Sequence, residues 1–342
     1  MQSDPLHLEA LVNDWQKLTF PAFESVKEEN GARLHLIQTN KPGLCFFELV
    51  FRNGRWSEHK KLSARMAANQ IMEGSAEVVA EKVADTLDYY GAHLSVHADL
   101  DFTVVSMSCL QKHFYYLSDF VVGLILFPAY READLAKAKM FLHSQLQHQL
   151  TEPDYVSYRE FTSHIYGADT VYGYNTEKSL IDAIQRDDLL RYQRENYCAD
   201  FLELFYCGEV NEESRRFLKS LADRFPRSPA KEDIRHLLMP TGLAKAHFPI
   251  PHCSQISLKM GRRTFPKQHP DFYGFYVLNS ILGDYFGSRL MRNIREDKGY
   301  TYDIHSSLDA QVHDGCFYIS AELNPGQLED SVHLIRQELE VL

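Results

Sequence analysis

One series of strand and helix patterns runs through the first part of the chain and starts again after about residue 245. Residues 255–262 alternate like residues 46–53, and the helical pattern at 272–282 corresponds to the one at 62–72. Later strand and helix patterns repeat in the same order, at an offset near 210 residues. This repeat predicts an α+β fold of two homologous domains. Each has a mostly antiparallel sheet with helices packed on one face, as in an elaborated ferredoxin-like fold.

The predicted domain boundaries lie where this pattern weakens. Residues 1–20 form a polar lead-in, 21–225 the first domain, 226–250 a proline-rich linker and 251–342 the second domain. The second copy ends within its own helical pattern at Leu342, at about half the length of the first. We therefore expect the second domain to be incomplete, the natural protein to continue, and part of an apolar face to be uncovered.

Two local patterns indicate how the first sheet is built. Residues 31–38 and 44–53 alternate apolar and polar side chains around a Lys-Pro-Gly turn, which predicts a pair of antiparallel strands. Residues 94–110 predict one or two further strands after two helical patterns.

The composition argues against several classes of function. The net charge of −11 offers no basic surface that could follow a phosphate backbone, so nucleic acid is not an expected partner. The longest apolar run, residues 120–129, is about half as long as a bilayer crossing requires. Six cysteines without a C-x-x-C pair suit a reducing compartment. We therefore predict no membrane insertion and a cytoplasmic location, with the periplasm as the alternative if a signal peptide was removed.

The densest group of functional residue types lies at residues 283–306, GDYFGSRLMRNIREDKGYTYDIHS. Apolar residues at helical spacing predict an amphipathic helix over 288–296, which Gly299 ends, and residues after it alternate as a strand. Arg295 and Tyr302 then lie on either side of a tight turn, where a guanidinium and a phenol could converge on one oxygen. The simpler alternative is an arginine in a surface ion pair and a tyrosine in the sheet.

The run SRLMRNIREDKGYTY resembles the second-domain signature of the pitrilysin/insulinase metallopeptidases, the inverted-zincin family. The two-domain branch, which includes bacterial and mitochondrial processing peptidases, is the most similar. In that family an arginine and a tyrosine seven positions apart contact the bound substrate, and Arg295 and Tyr302 have this spacing. The resemblance extends over nearly the whole chain. It implies a metallopeptidase-like fold in which two-domain chains pair face to face around a chamber.

The resemblance also implies where a zinc site would lie. In the family, a helix after the second strand carries His-x-x-Glu-His, and a later helix supplies a further glutamate ligand. The corresponding residues here are Arg65, Ala68, Asn69 and Gln145. An arginine cannot donate a lone pair to a metal, an alanine cannot accept a proton, and amides are weak zinc ligands. We therefore expect no metal or cofactor in this chain.

The resemblance thus predicts a non-catalytic subunit of a heterodimeric zinc endopeptidase. Arg295 and Tyr302 would bind a peptide or unfolded polypeptide in trans, at the zinc site of a homologous partner subunit. In relatives, the strand equivalent to residues 94–98 offers an edge to which an extended substrate adds by main-chain hydrogen bonds, although here the strand could instead be interior. The second hypothesis is a scaffold subunit of a larger complex, like the core subunits of a respiratory complex. A third, an active peptidase with a different site, has no motif to support it.

Overall fold

The computed structural model describes residues 21–39, 43–229, 245–251 and 253–342. The lead-in predicted for residues 1–20 lies outside the described residues, as do residues 230–244 of the predicted linker and the first two residues of the predicted Lys-Pro-Gly turn. The described part contains one sheet of six strands and one of three, with helices against both. The predicted α+β class is therefore confirmed.

The larger sheet is mixed, with its strands in the order β1-β2-β6-β3-β5-β4. Neighbouring strands are antiparallel except for β2 and β6, which are parallel. The strands are β1 (Phe23–Lys27), β2 (Arg33–Gln38), β3 (Leu44–Phe51), β4 (His93–Ala98), β5 (Thr103–Leu110) and β6 (Leu202–Gly208).

The predicted pairing of residues 31–38 with 44–53 is wrong, although both segments are strands. β6 lies between β2 and β3 and is hydrogen-bonded to both. Alternate residues of β6 are buried, so its insertion adds a third apolar row to the same face of the sheet. The turn pattern between β2 and β3 is local and contains no information about a strand so much later in the chain.

The helices of the first unit bury one face of this sheet. A continuous core joins β3 and β5 to α3 and includes Phe47, Leu49, Val105, Phe114 and Val121. The helices are α1 (Ser63–Asn69), α2 (Ala80–Tyr90), α3 (Phe114–Leu126), α4 (Glu132–Gln149), α5 (Pro153–Tyr166), α6 (Lys178–Ala183), α7 (Arg186–Asn196) and α8 (Glu212–Asp223).

The smaller sheet repeats part of the larger one. Its strands β7 (Ile256–Thr264), β8 (Thr301–Ala310) and β9 (Gly315–Leu323) are antiparallel and have the order β7-β9-β8. This order matches β3-β5-β4 of the first sheet. Helix α9 (Phe272–Gly283) follows β7 as α1 follows β3, and α10 (Leu328–Glu340) follows β9 as α3 follows β5.

The outer face of α9 is apolar and exposed. Tyr273, Val277 and Ile281 are 76%, 57% and 46% exposed, whereas the equivalent helix α1 is packed against α7. Among the helices of the described residues, none combines the length and apolar character that a membrane crossing requires.

The two units meet at a buried carboxylate. Asp101, in the β4–β5 connection, accepts hydrogen bonds from Trp56 Nε1 at 2.7 Å and the Tyr172 hydroxyl at 2.5 Å. Its other oxygen accepts from the backbone N–H of Val312, in the turn between β8 and β9, at 3.0 Å. Helix α5 packs on β7 nearby. Hydrogen bonds to a charged, water-excluded acceptor are strong, so these contacts fix one unit against the other.

Candidate functional site

The Arg/Tyr segment begins with a wide helical turn. Residues Met291–Glu296 form a π-helix, in which Asp297 N donates to Arg292 O at 2.9 Å, and Ile294 is buried in the core of the second unit. Gly299 then has φ +65°, a left-handed conformation that glycine adopts without a steric penalty. The predicted helix is therefore present but wider than expected. π-Helical turns occur often at functional sites.

Arg295 lies between two exposed aromatic rings. Its Cζ atom is 4.8 Å from the ring centroid of Phe286 and 5.0 Å from that of Tyr302, which is 77% exposed. These distances are typical of cation–π contacts. In the part of the chain that the structure describes, neither the Arg295 guanidinium nor the Tyr302 hydroxyl has an ion-pair or hydrogen-bond partner. The structure thus brings Arg295 and Tyr302 together, and the guanidinium and hydroxyl donors are accessible to a ligand.

Arg289, six residues before Arg295, shows the contrasting arrangement. Its Nε donates to Glu338 Oε2 at 2.8 Å, and Asn293 Nδ2 donates to the other oxygen of Glu338 at 2.5 Å. This network joins the segment to α10. Arg289 is therefore committed to holding the structure together, while Arg295 on the same segment is not.

The four positions that the resemblance equates with the zinc motif lie on α1 and α4. Arg65 Nη2 donates to Gln145 Oε1 at 3.2 Å, so these two replacements contact each other. Ala68 is completely buried in the protein core, and Asn69 is exposed. Of the four residues, Arg65 and Gln145 are thus in contact, Ala68 is in the core and Asn69 is on the surface.

These residues do not fit a zinc ion. Burial lowers the pKa of Arg65, and the positive charge of neighbouring Arg55 lowers it further. A divalent cation would be repelled by both guanidinium groups and would find one neutral amide oxygen in place of its ligands. Within the described residues, no group of three histidine, cysteine, aspartate or glutamate side chains could hold a metal elsewhere.

Strand β4 lies at an edge of the six-stranded sheet. It pairs with β5 on one side, and among the described residues no strand pairs with its other side. The first of the two alternatives for residues 94–98, an edge strand, is therefore correct. Helix α1 packs directly against β4, so the open edge runs beside the former metal helix.

Comparison with known proteins relates the second part of the chain to a peptidase family. Residues 183–342 match the family described as "Peptidase M16 inactive domain". This confirms the resemblance to the pitrilysin/insulinase peptidases that the Arg/Tyr segment indicates.

Several known proteins resemble the chain over most of its length. An uncharacterized zinc protease of Bacillus subtilis, YmxG, is 23% identical over 330 residues, which are 92% of this chain and 77% of that protein. The crystal structure of a peptidase M16 inactive domain from Pseudomonas fluorescens superposes with a TM-score of 0.84 at 20% identity, over 93% of this chain and 78% of that one. A protease from Helicobacter pylori gives 0.79 at 14% identity, over 93% and 80%. These structural likenesses show the fold.

Two features of this site are not predicted from the sequence. Phe286 is the second of the two aromatic rings around Arg295. Because it lies far from Tyr302 in the sequence, the sequence does not predict that both rings contact the same guanidinium. Glu58 holds α1 in place: its carboxylate accepts from Leu62 N at 3.2 Å, Ala64 N at 2.9 Å and the Tyr174 hydroxyl at 2.6 Å. Burial raises the pKa of Glu58 despite these donors. An acidic residue shortly before a helix can be recognised in a sequence. The contact of Glu58 with Tyr174 cannot, because Tyr174 lies in a distant loop.

Proposed function

We propose that this chain is a non-catalytic subunit of a heterodimeric zinc endopeptidase and binds peptide for a partner subunit that carries the zinc. The observation that carries this proposal is the contrast between its two M16 sites. Arg295 and Tyr302 lie together with free donor groups, whereas the residues at the zinc positions do not fit a metal. Because neither donor group has a protein partner among the described residues, a peptide can accept hydrogen bonds from both without breaking an internal contact.

The two donors suit the chemistry of peptide cleavage. When a zinc-bound water attacks a peptide carbonyl, negative charge develops on the carbonyl oxygen. The Arg295 guanidinium and the Tyr302 hydroxyl can donate to that oxygen, or to the adjacent peptide carbonyl. Because the stacked rings already hold the guanidinium, fewer side-chain rotamers are lost on binding.

The open edge of β4 supports a second part of the same role. An extended peptide can add to this edge as a further strand, using main-chain hydrogen bonds that do not depend on its sequence. Because the adjacent helix α1 lacks a catalytic base, peptide bound there would be held and not cut. The subunit would therefore retain substrate near the partner's zinc site.

Affinity capture of the tagged chain from its native cells tests the proposal. We expect a homologous chain with an intact His-x-x-Glu-His motif to co-purify in a one-to-one ratio, and the pair to cleave a fluorogenic peptide in a chelator-sensitive reaction. The control is the same capture with the tag alone. Recovery of membrane-complex proteins without a zinc-motif partner would favour the scaffold hypothesis and contradict the proposal.

A further inference from the structure

Two half-buried arginines, Arg65 on α1 and Arg55 before it, have no carboxylate partner among the described residues. Arg65 donates to the neutral oxygen of Gln145, and Arg55 donates to the backbone oxygen of Tyr174 at 3.2 Å. The Arg55 guanidinium also lies 4.4 Å from the centroid of the Tyr174 ring. In the described ranges, no carboxylate oxygen comes within 4.0 Å of a guanidinium nitrogen of either residue.

This arrangement differs from that of two other partly buried arginines, Arg263 and Arg289. Arg263 pairs with Asp314, and Arg289 pairs with Glu338 at 2.8 Å. Charged groups removed from water are normally paired because desolvation is costly, and here mutual repulsion adds to that cost. The lowered pKa of Arg65 reflects both effects. An external anion would relieve them.

The nearby carboxylate of Glu58 does not serve as this counter-ion. It attracts Arg55 at longer range, but its oxygens accept hydrogen bonds from Leu62 N, Ala64 N and Tyr174. It is therefore engaged in holding the start of α1. The two guanidinium groups therefore have more N–H donors than the described residues supply acceptors for.

The arginines are placed where a bound peptide would pass. Arg65 and Asn69 are four residues apart on α1 and share one face of the helix, and Asn69 is exposed. Because α1 packs against β4, Arg65 and Asn69 lie on the helix next to the open strand edge. A side chain or terminus of a peptide added to β4 can therefore reach it.

We propose that Arg65, with Arg55 beside it, binds a carboxylate of the peptide held along β4, so that a site for a metal cation has become a site for an anion. The inference rests on the proposed peptide-binding function and adds the class of ligand. The carboxylate can come from an aspartate or glutamate side chain or from the peptide's carboxyl terminus. A guanidinium recognises either one through paired N–H donors.

Fluorescence anisotropy with the full chain tests this inference. The probes are three decapeptides of one alanine/valine sequence, each labelled at its amino terminus with an uncharged BODIPY fluorophore: one with a central glutamate and an amidated end, one with glutamine and an amidated end, and one with glutamine and a free carboxyl terminus. We expect at least one carboxylate probe to bind about tenfold or more tightly than the neutral probe at low salt, and the preference to weaken as salt rises. The probe that gains identifies the source of the carboxylate.

Three variants connect this preference to Arg65. Arg65→Gln is expected to remove it while leaving the affinity for the neutral probe unchanged, and Arg65→Lys to retain part of it, because the charge remains but the planar fork is lost. The matched control is Arg216→Gln, which replaces an exposed arginine on α8. Helix α8 contacts β1, at the opposite edge of the sheet from β4. Unfolding midpoints of all variants establish that each is folded.

The outcomes separate the inference from the proposed function. If the neutral probe binds and neither carboxylate binds more tightly, or if Arg65→Gln keeps the preference, the anion site is refuted and peptide binding stands. If none of the probes binds, peptide binding at β4 is refuted, and the anion site is refuted with it.

Discussion

Replacing Arg295 by alanine and Tyr302 by phenylalanine should affect catalysis strongly and stability weakly. Arg295→Ala removes two exposed cation–π contacts, at 4.8 Å and 5.0 Å, each contributing about 0.5–1 kcal/mol. The expected loss is at most about 2 kcal/mol. Tyr302→Phe removes only a hydroxyl that is exposed and unpaired among the described residues, so its effect on the free energy of unfolding should be close to zero.

The effect on the rate should be far larger. Loss of one donor to a developing oxyanion typically lowers the rate on the order of a hundred- to a thousandfold. Because both groups would serve one intermediate, the effects should be non-additive, with the double variant little worse than the poorer single one. The assay is cleavage of a fluorogenic peptide by the complex purified through the tagged chain.

Assembly is measured separately by size-exclusion chromatography, and Arg336→Ala, an exposed arginine on α10, is the matched control. If both variants assemble normally and the complex cleaves at the wild-type rate, Arg295 and Tyr302 are architectural. The scaffold hypothesis would then replace the one proposed here.

Three further predictions concern the chain by itself. Asp101→Ala should lower the free energy of unfolding by about 2–4 kcal/mol, because three donors, among them the buried Tyr172 hydroxyl, lose an acceptor. Urea unfolding measures this, and Asp99→Ala, at an exposed neighbour, should have almost no effect. Because burial raises the pKa of Glu58, the stability of the wild type relative to Glu58→Gln should be greatest below about pH 4.5 and fall as pH rises through the folded-state pKa. A pH series of unfolding midpoints that is parallel for the two proteins would contradict this. Iodoacetamide at pH 8 should modify exposed Cys253 rapidly and buried Cys316 only after unfolding. The reason is that burial raises the pKa of Cys316 to about 12, so little of the reactive thiolate is present. Mass spectrometry identifies the modified thiol.

The repeat and the local patterns predict much of the fold. Strands β7, β8 and β9 and helices α9 and α10 all form near their predicted positions, because each combines a clear periodicity with a turn or glycine at its end. What the sequence does not predict is long-range: β6 lies between β2 and β3, and α5 packs on β7. Strand β1 is also missed, since all five of its residues are exposed and it has no buried row.

The candidate site, like the fold, is only partly predictable from the sequence. The spacing of Arg295 and Tyr302, with Gly299 between them, is enough to predict that the two side chains meet. The π-helical turn and the second ring from Phe286 are not predictable, because both depend on how the segment packs on the core of the second unit. Similarly, the sequence predicts that Arg65 cannot bind zinc, but the contact with Gln145 and the absence of a carboxylate partner among the described residues require the structure.

Metal analysis of the isolated chain and of its native complex tests the proposed division of labour most directly. After dialysis, we expect the isolated chain to contain less than about a tenth of a zinc ion per molecule, since Arg65 and Gln145 supply no metal site. The complex should contain about one zinc per heterodimer, and a chelator should remove both the metal and the peptidase activity. One zinc per isolated chain, or chelator-sensitive cleavage by that chain alone, would contradict the assignment of this protein as the non-catalytic subunit.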